Sequence, residues 1–399
     1  MEPAFKKSWQ ARTSTGNYFE MLDGLRGIAI LMVVAYHTFY TNPESHVLVR
    51  FIGGMIGQGG RGVQIFFILS GFLVSYPLFR QRQNHPEAWN LKSYAVRRFS
   101  KIIPPYYLSI AILTTYFLFR TSDPVYCWIA LKYALGLANF IRTTIPFNPT
   151  YWFVIIVVQF YILAPLLFRL CRRLQLLPAT MCMVLILLLV PLVVRQLTWP
   201  AQRLDVNALA FLMERFPCQF DYFAWGVLFS GILVSLQTLR DKARALSFLG
   251  YAGAVLFVLN LCCGALASLK SGTNPYPTRW STEMIHLSGG ISVFLLLFFV
   301  FDPSCLGSRL LAKPPLRFMG IISYEWYLFH WPIIALFSEI FGETHGSFLK
   351  YALKTSLPFA LTFLFSALVY RYFSLPIANR MRSKWFRGQS SAAGSSRVS

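Results

Sequence analysis

Two histidines stand inside apolar runs of this chain. His37 lies in "GLRGIAILMVVAYHTF" (Gly24 to Phe39), and His330 in "ISYEWYLFHWPII" (Ile322 to Ile334). A neutral imidazole takes up and returns a proton near neutral pH, which is the work of a general base. Arg26, in the same run as His37, and the trio Arg97, Arg98 and Lys101 of "YAVRRFSKIIPPYYLS" (Tyr94 to Ser109) suit a different task. Guanidinium groups grip phosphates in a two-pronged fashion, so such a cluster would hold a ligand carrying several phosphates. Inside a membrane an arginine costs about 2.5–3.5 kcal/mol on insertion scales, and ionisable residues there usually face a cavity or a partner.

Spacing ties these groups together. Arg26 and His37 are eleven residues apart. On a helix that is three turns plus about 20°, so both share one face, about 16 Å apart along the axis. One face would offer an anion site at one end and a titratable ring deep inside. The blander alternative is a snorkelling arginine and a histidine bonded to a neighbouring helix. In the second run, Tyr324 and Tyr327 lie at i, i+3, as do Tyr327 and His330, so the three share a polar face. Two histidines in separate spans suit the lining of one cavity. Arg98 and Lys101 also share a face, and as a bland reading the basic trio would hold lipid headgroups.

The elements that carry these residues are membrane helices. Apolar residues make up 56% of the 399 residues and charged residues only 13%. Mean hydropathy is +0.51. A soluble chain would carry roughly twice that charge. Runs of about 20 apolar residues recur, each long enough to cross about 30 Å of hydrocarbon. The pattern predicts ten spans, near 24–41, 61–79, 102–119, 150–168, 179–197, 217–236, 246–267, 283–301, 318–341 and 349–374. Residues 1–20 and 377–399 are then tails, and 21–376 is one all-α membrane domain. The net charge of +22 does not signal nucleic acid, because the cations fall in short clusters between apolar runs. Those clusters alternate: the N-terminal tail with Arg26, then Arg80 to Lys101, Arg169 to Arg173, Arg240 to Arg244, Arg309 to Arg317, and the tail from Arg380. The positive-inside rule makes both termini cytoplasmic. A further apolar stretch, Pro124 to Ile141, would invert every later loop if it spanned. It is expected to lie at the outer surface or to dip shallowly.

Smaller signals complete the reading. Asp23, just before the first span, is expected to cap the helix N-terminus. Ser70-Gly71 interrupts the second span, and Gly71 suits close helix packing. Ser70 has no base near it in sequence to make it a nucleophile. Pro104-Pro105 should break or kink the third span. Trp152 reads as an interfacial anchor, with Gln159 and Tyr161 further along the same run. The seven cysteines show no paired or metal-binding spacing, so no metal site is expected. No signal peptide is expected in the polar first 20 residues, and the tail from Arg387 should be disordered.

In order, "LDGLRGIAILMVVAYH", "GVQIFFILSGFLV", "RRFSKIIPPYYL", "YWFVIIVVQFYILAPLL" and "GIISYEWYLFHWP" resemble the acyltransferase-3 family of integral membrane O-acyltransferases. The likeness runs from Leu22 to about Pro376. An arginine and a histidine separated by ten residues is that family's signature, matched by Arg26 and His37. The resemblance implies O-acylation, commonly acetylation. The donor would be cytoplasmic acyl-CoA, a co-substrate rather than a resident cofactor. The acceptor would be a hydroxyl of a glycan or similar molecule, often cell-envelope polysaccharide. It makes His37 the essential histidine and the Arg97–Arg98 pair part of the donor mouth. Lys101 departs from the family's second arginine, and Val157-Val158 stand where many relatives carry acidic residues. Some relatives bear a fused outer hydrolase-like domain, which this sequence is expected to lack. A proton-coupled transporter or flippase, with histidines relaying protons, is the competing class.

Overall fold

The computed structural model describes residues 19–39, 47–84, 90–140, 147–198, 217–236, 243–271, 279–342 and 348–395. The fold is a polytopic membrane bundle of helices. Its helices are α1 (Glu20–Thr38), α2 (Val47–Ile56), α3 (Arg61–Asn84), α4 (Leu91–Thr121) and α5 (Val125–Ala134). Then come α6 (Tyr151–Leu170), α7 (Leu176–Thr198), α8 (Phe220–Ser235), α9 (Ala243–Ser271) and α10 (Arg279–Leu296). The C-terminal third adds α11 (Leu306–Leu311), α12 (Pro314–Ile321), α13 (Ser323–Phe341), α14 (Phe348–Val369) and α15 (Leu375–Ser395).

Among the described residues, seven helical stretches are long and apolar enough to cross a membrane. They contain the expected spans on α1, α3, α4, α6, α7, α9 and α14. The other three expected spans are helical but fall outside that set. Two are shorter apolar helices, Phe220–Ser235 and His286–Phe301. The third, α13, is as long as α1 but carries Glu325 and Glu339. Of the stretch 124–141, the described residues 124–140 form only the ten-residue α5 and turns, too short to cross; residue 141 lies outside the described residues. Exposed Leu185, Val193, Val255, Val258 and Leu364 cover the outer faces of α7, α9 and α14, a surface suited to lipid rather than water.

Glycine sets the closest contacts. A methyl group on Gly24 would sit 1.7 Å from the Leu311 carbonyl oxygen, and one on Gly27 2.1 Å from that of Leu316. From the other side, a methyl on Gly320 would sit 1.7 Å from the Asp23 carbonyl oxygen. The backbones of α1 and α12 therefore touch, which only residues without Cβ allow. Gly71 has the packing role expected of it, since its Cβ would lie 2.3 Å from the Phe223 oxygen on α8. Beside it, the buried Ser75 hydroxyl oxygen lies 2.6 Å from Gly71 O and 2.7 Å from Ser230 Oγ, joining α3 to α8.

Two local expectations need correction. Asp23 is not a cap: α1 begins at Glu20 with Phe19 at the N-cap, and Asp23 lies 3.8 Å from Arg26 within the helix. Pro104-Pro105 does not break α4, which runs through both. The prolines only remove the N–H donors that Ser100 and Lys101 carbonyls would meet in an unbroken ladder. The final helix runs to Ser395.

Gly27→Val should force α1 away from α12. Overpacking of this kind costs about 1–3 kcal/mol. The expected outcome is a lower melting temperature and less monodisperse protein in size-exclusion chromatography, with Gly57→Val, which meets nothing within 4 Å, as the tolerated control.

Candidate active site

One end of the bundle is basic. Arg26, Arg97, Arg98 and Lys101 line a single cavity of about 110 Å³, together with Ser70, Tyr161, Ser323, Tyr324 and Tyr327. The close α1–α12 contact places Arg26 against the start of α13, where its Nη2 donates to Ser323 Oγ at 3.2 Å. Arg98 donates to the Leu73 carbonyl, and its guanidinium carbon stands 5.7 Å from the Tyr161 ring centroid. Tyr161 is held in turn, its carbonyl accepting from Tyr94 Oη at 3.0 Å. The last helix adds another cation beside this end: Arg382 Nε donates to Ser100 Oγ at 3.1 Å, and its Nη2 to Arg97 O at 3.3 Å.

The histidines meet further along the same two helices. His330 Nε2 lies 3.2 Å from His37 Nδ1. His330 Nδ1 lies 2.8 Å from the Tyr327 carbonyl, and His37 Nδ1 lies 2.9 Å from the Val33 carbonyl. A carbonyl oxygen only accepts, so each Nδ1 must carry the proton. His330 Nε2 is then bare and shares the one His37 Nδ1–H with Val33 O, the carbonyl being the nearer acceptor. The ring atom with a lone pair left over is His37 Nε2. His330 is fully buried. Trp331 packs edge-on against His37 with ring centroids 5.1 Å apart. The ring that could take a proton is thus oriented by a backbone carbonyl, a second imidazole and an indole.

His37 lines a second cavity of about 710 Å³ with Tyr36, Gly59, Gly60, Val63, Thr150, Trp152, Tyr327 and Trp331. Tyr327 lines both cavities. Its hydroxyl donates to Thr150 O at 2.9 Å, which fastens the wall between them to the start of α6. Nearby, Asn148 Oδ1 accepts from Thr150 N at 3.0 Å, and its Nδ2 donates to Leu328 O at 3.3 Å.

The structure thus brings the four expected cations into one cavity and the two histidines into contact. His330 does not line the chamber with His37 but stands behind it. Trp152 is a chamber wall rather than an anchor, with its ring 6.0 Å from Phe67. Gln159 lies elsewhere, in an apolar groove between α4, α5 and α6. Val157 lines the basic cavity without a carboxylate. Sequence reasoning missed Trp331, Thr150 and Ser323. The only available signals were adjacency to His330 for Trp331 and to the Tyr151–Trp152 pair for Thr150.

The family profile described as an acyltransferase domain matches residues 19–371. The chain belongs to the acyltransferase-3 family. Among its relatives is the peptidoglycan O-acetyltransferase OatA of Listeria monocytogenes, 24% identical over 93% of this chain and 57% of that protein. A second is the putative peptidoglycan O-acetyltransferase YrhL of Bacillus subtilis, 23% identical over 94% of this chain and 57% of that protein. A putative O-acetyltransferase of Staphylococcus aureus is 22% identical over 90% of this chain and 57% of that protein. This acyltransferase chain therefore spans little more than half the length of the curated relatives it matches. No solved structure matches it.

The hydrogen-bond pattern is directly testable. In protein labelled with ¹⁵N-histidine, His37 should show a protonated Nδ1 and a bare Nε2. The resonances can be assigned by loss in His37→Gln and His330→Gln. A protonated His37 Nε2 in the resting protein would remove the reading of this ring as a ready acceptor.

Proposed function

We propose that this protein is a membrane O-acetyltransferase. It takes an acetyl group from acyl-CoA, held in the basic cavity, and passes it to a hydroxyl of a glycan in the His37 chamber. The observation that carries this reading is the contact of His37 Nδ1 with Val33 O, which favours the tautomer that leaves Nε2 to accept a proton, in a chamber that shares one wall residue, Tyr327, with a cavity lined by four cations. The relatives' peptidoglycan O-acetyltransferase names support an envelope glycan as acceptor.

The chemistry follows from the groups present. A thioester of coenzyme A is polyanionic and is made in the cytoplasm, so the basic end faces inward and both termini are cytoplasmic. Arg97, Arg98 and Lys101 grip the phosphates, with lysine acting as a point charge in place of a planar fork. The narrow cavity suits a short acyl group. An acceptor hydroxyl is a poor nucleophile until its proton is taken. His37 Nε2 removes that proton as the oxygen attacks the thioester carbonyl. The carbon–sulfur bond then breaks, and the thiolate leaves alone or takes the proton back from His37 Nε2–H. Meanwhile the imidazolium Nδ1–H keeps its contacts to Val33 O and His330 Nε2, so ring orientation does not change through the cycle. Holding both substrates against one base turns a bimolecular encounter into a positioned one. Apolar walls limit wasteful thioester hydrolysis.

Purified protein in nanodiscs, given radiolabelled acetyl-CoA and glycan oligomers, tests the reading. A transporter or flippase would neither hydrolyse the thioester nor acetylate the glycan. Loss of a general base lowers rate about 10²–10⁴-fold. His37→Ala should therefore insert, bind acetyl-CoA and transfer acetyl at least ~100-fold more slowly. His330→Gln keeps a hydrogen-bond acceptor and should retain partial activity. Near-normal transfer by His37→Ala, or complete loss in His330→Gln with activity kept in His37→Gln, would reverse the assignment.

Arg97→Ala should raise the dissociation constant for acetyl-CoA by about tenfold or more, the size of a lost charge-assisted hydrogen bond, with less effect on acceptor. Equilibrium binding of a non-hydrolysable acetyl-CoA analogue reads this out. Unchanged donor affinity would leave the cluster as a lipid-headgroup or topology signal.

A further inference from the structure

At the start of α3, Arg61 is buried at 4% exposure, and its Nε and Nη1 have no hydrogen-bond partner. One turn on, Gln64 Oε1 is also buried without a partner. Both side chains reach toward α10 where two glycines stand in succession. A methyl on Gly289 would lie 2.4 Å from Gln64 Oε1 and 3.4 Å from Arg61 Nη1. A methyl on Gly290 would lie 2.1 Å from Trp225 Nε1. The side-chain-free stretch of α10 is therefore ringed by a guanidinium, a carboxamide and an indole N–H.

A guanidinium in a low-dielectric interior demands a counter-charge. Carboxylates on α8 and α10 do not provide it. Asp221 and Glu283 pair with Arg195 at 3.1 and 2.9 Å, and Asp221 also meets His286 at 3.2 Å. Among the described residues no carboxylate pairs with Arg61. The same segment walls the catalytic chamber: Gly59 and Gly60 just before Arg61, and Val63 just after it, line the cavity that holds His37.

We propose that Arg61, with Gln64 and Trp225, binds an anionic group, a carboxylate or phosphate, carried by the acceptor glycan. The inference rests on the acetyltransferase reading and narrows its acceptor to acidic glycans. Arg61 donates to the anion and Trp225 Nε1 adds a second donor. Gln64 adds a third only with its carboxamide turned over, so that the N–H and not Oε1 faces the anion. The neutral remainder of the sugar is left free to present a hydroxyl to His37. This anion site is separate from the donor's phosphate site, whose lining on α3 is Phe66, Leu69, Ser70 and Leu73 and does not include Arg61.

Binding to the purified full chain in nanodiscs tests it, with three tetrasaccharide probes. One is neutral, a tetramer of β-1,4-linked N-acetylglucosamine. The second alternates N-acetylglucosamine with N-acetylmuramic acid carrying free carboxylates. The third is the neutral tetramer bearing phosphate monoesters. At least one anionic probe should bind about tenfold or more tighter than the neutral one, the scale of a charge-assisted hydrogen bond. The tighter of the two names the group. Arg61→Gln should erase the difference, and Arg61→Lys should keep part of it. If Arg61→Gln does not fold, Gln64→Glu serves instead, since an internal carboxylate beside Arg61 should erase the preference too. Equal binding of all three probes by the wild type, or a preference untouched by Arg61→Gln or by Gln64→Glu, overturns the proposal. Tight binding of an anionic probe without acetyl transfer to any glycan would keep this site and sink the acetyltransferase reading. Equal binding and acetylation of neutral and acidic tetramers would do the reverse.

Discussion

The contact between the backbones of α1 and α12 is the constraint from which the site follows. Gly27 and Gly320 remove the Cβ atoms that would hold the two helices apart, and Gly24 does the same against the end of α11. Because α12 leads directly into α13, the contact fixes α13 against α1. Two polar bridges then span the pair, Arg26 to Ser323 at one level and His37 to His330 at another. Shift either helix by a residue and both bridges fail together, since a turn of helix rotates side chains by about 100° per residue. Apolar side chains alone would not specify that register in lipid, where helix association gains little from hydrophobicity.

Polarity inside the bundle is partitioned, not spread. The cations gather in a narrow cavity at one end, and the titratable ring sits in a wider chamber. The wall they share is a tyrosine whose hydroxyl is already satisfied by Thr150 O. Tyr327 is therefore held as a fixed partition rather than poised as an acid. Serine hydroxyls elsewhere are spent on backbone carbonyls, as with Ser75 and Ser230. Glu325, like Arg61 and Gln64, departs from that pattern: it is fully buried in α13 and neither oxygen finds a hydrogen-bond donor.

Much of this was legible from sequence, for a physical reason. Membrane insertion demands long apolar runs, so helix positions follow from composition, and ionisable residues inside those runs stand out as costs needing a purpose. Arg26, His37, Arg98 and His330 were visible in that way. What sequence could not reveal was direction across helices. His330 shares a depth with His37, which spacing suggested, yet it lies behind that ring instead of beside it in the cavity. Trp152 has the composition of an interfacial anchor and became a chamber wall because Phe67 of α3 packs against it. Asp23 looked like a cap because helix starts in membrane chains are masked by apolar flanks. Pro104-Pro105 looked like a break, but α4 is long enough for packing on both sides to carry it across.

The pairing of two imidazoles has a further consequence for the chemistry. Soluble hydrolases commonly place a carboxylate behind the catalytic histidine, which orients the ring and offsets the positive charge it acquires. In an apolar interior a lone carboxylate would carry its own desolvation cost. A neutral imidazole orients without adding a charge. Its Nε2 accepts from His37 Nδ1–H in the resting state and accepts the same bond more strongly once His37 is protonated, because a charged donor strengthens it. The arrangement gives up charge compensation in the transition state and keeps a resting site with no buried ion. In the acetyl transfer proposed above, the positive charge on His37 would be balanced by the negative oxygen forming on the thioester carbonyl, so ionisation would be confined to the moment when both substrates are present.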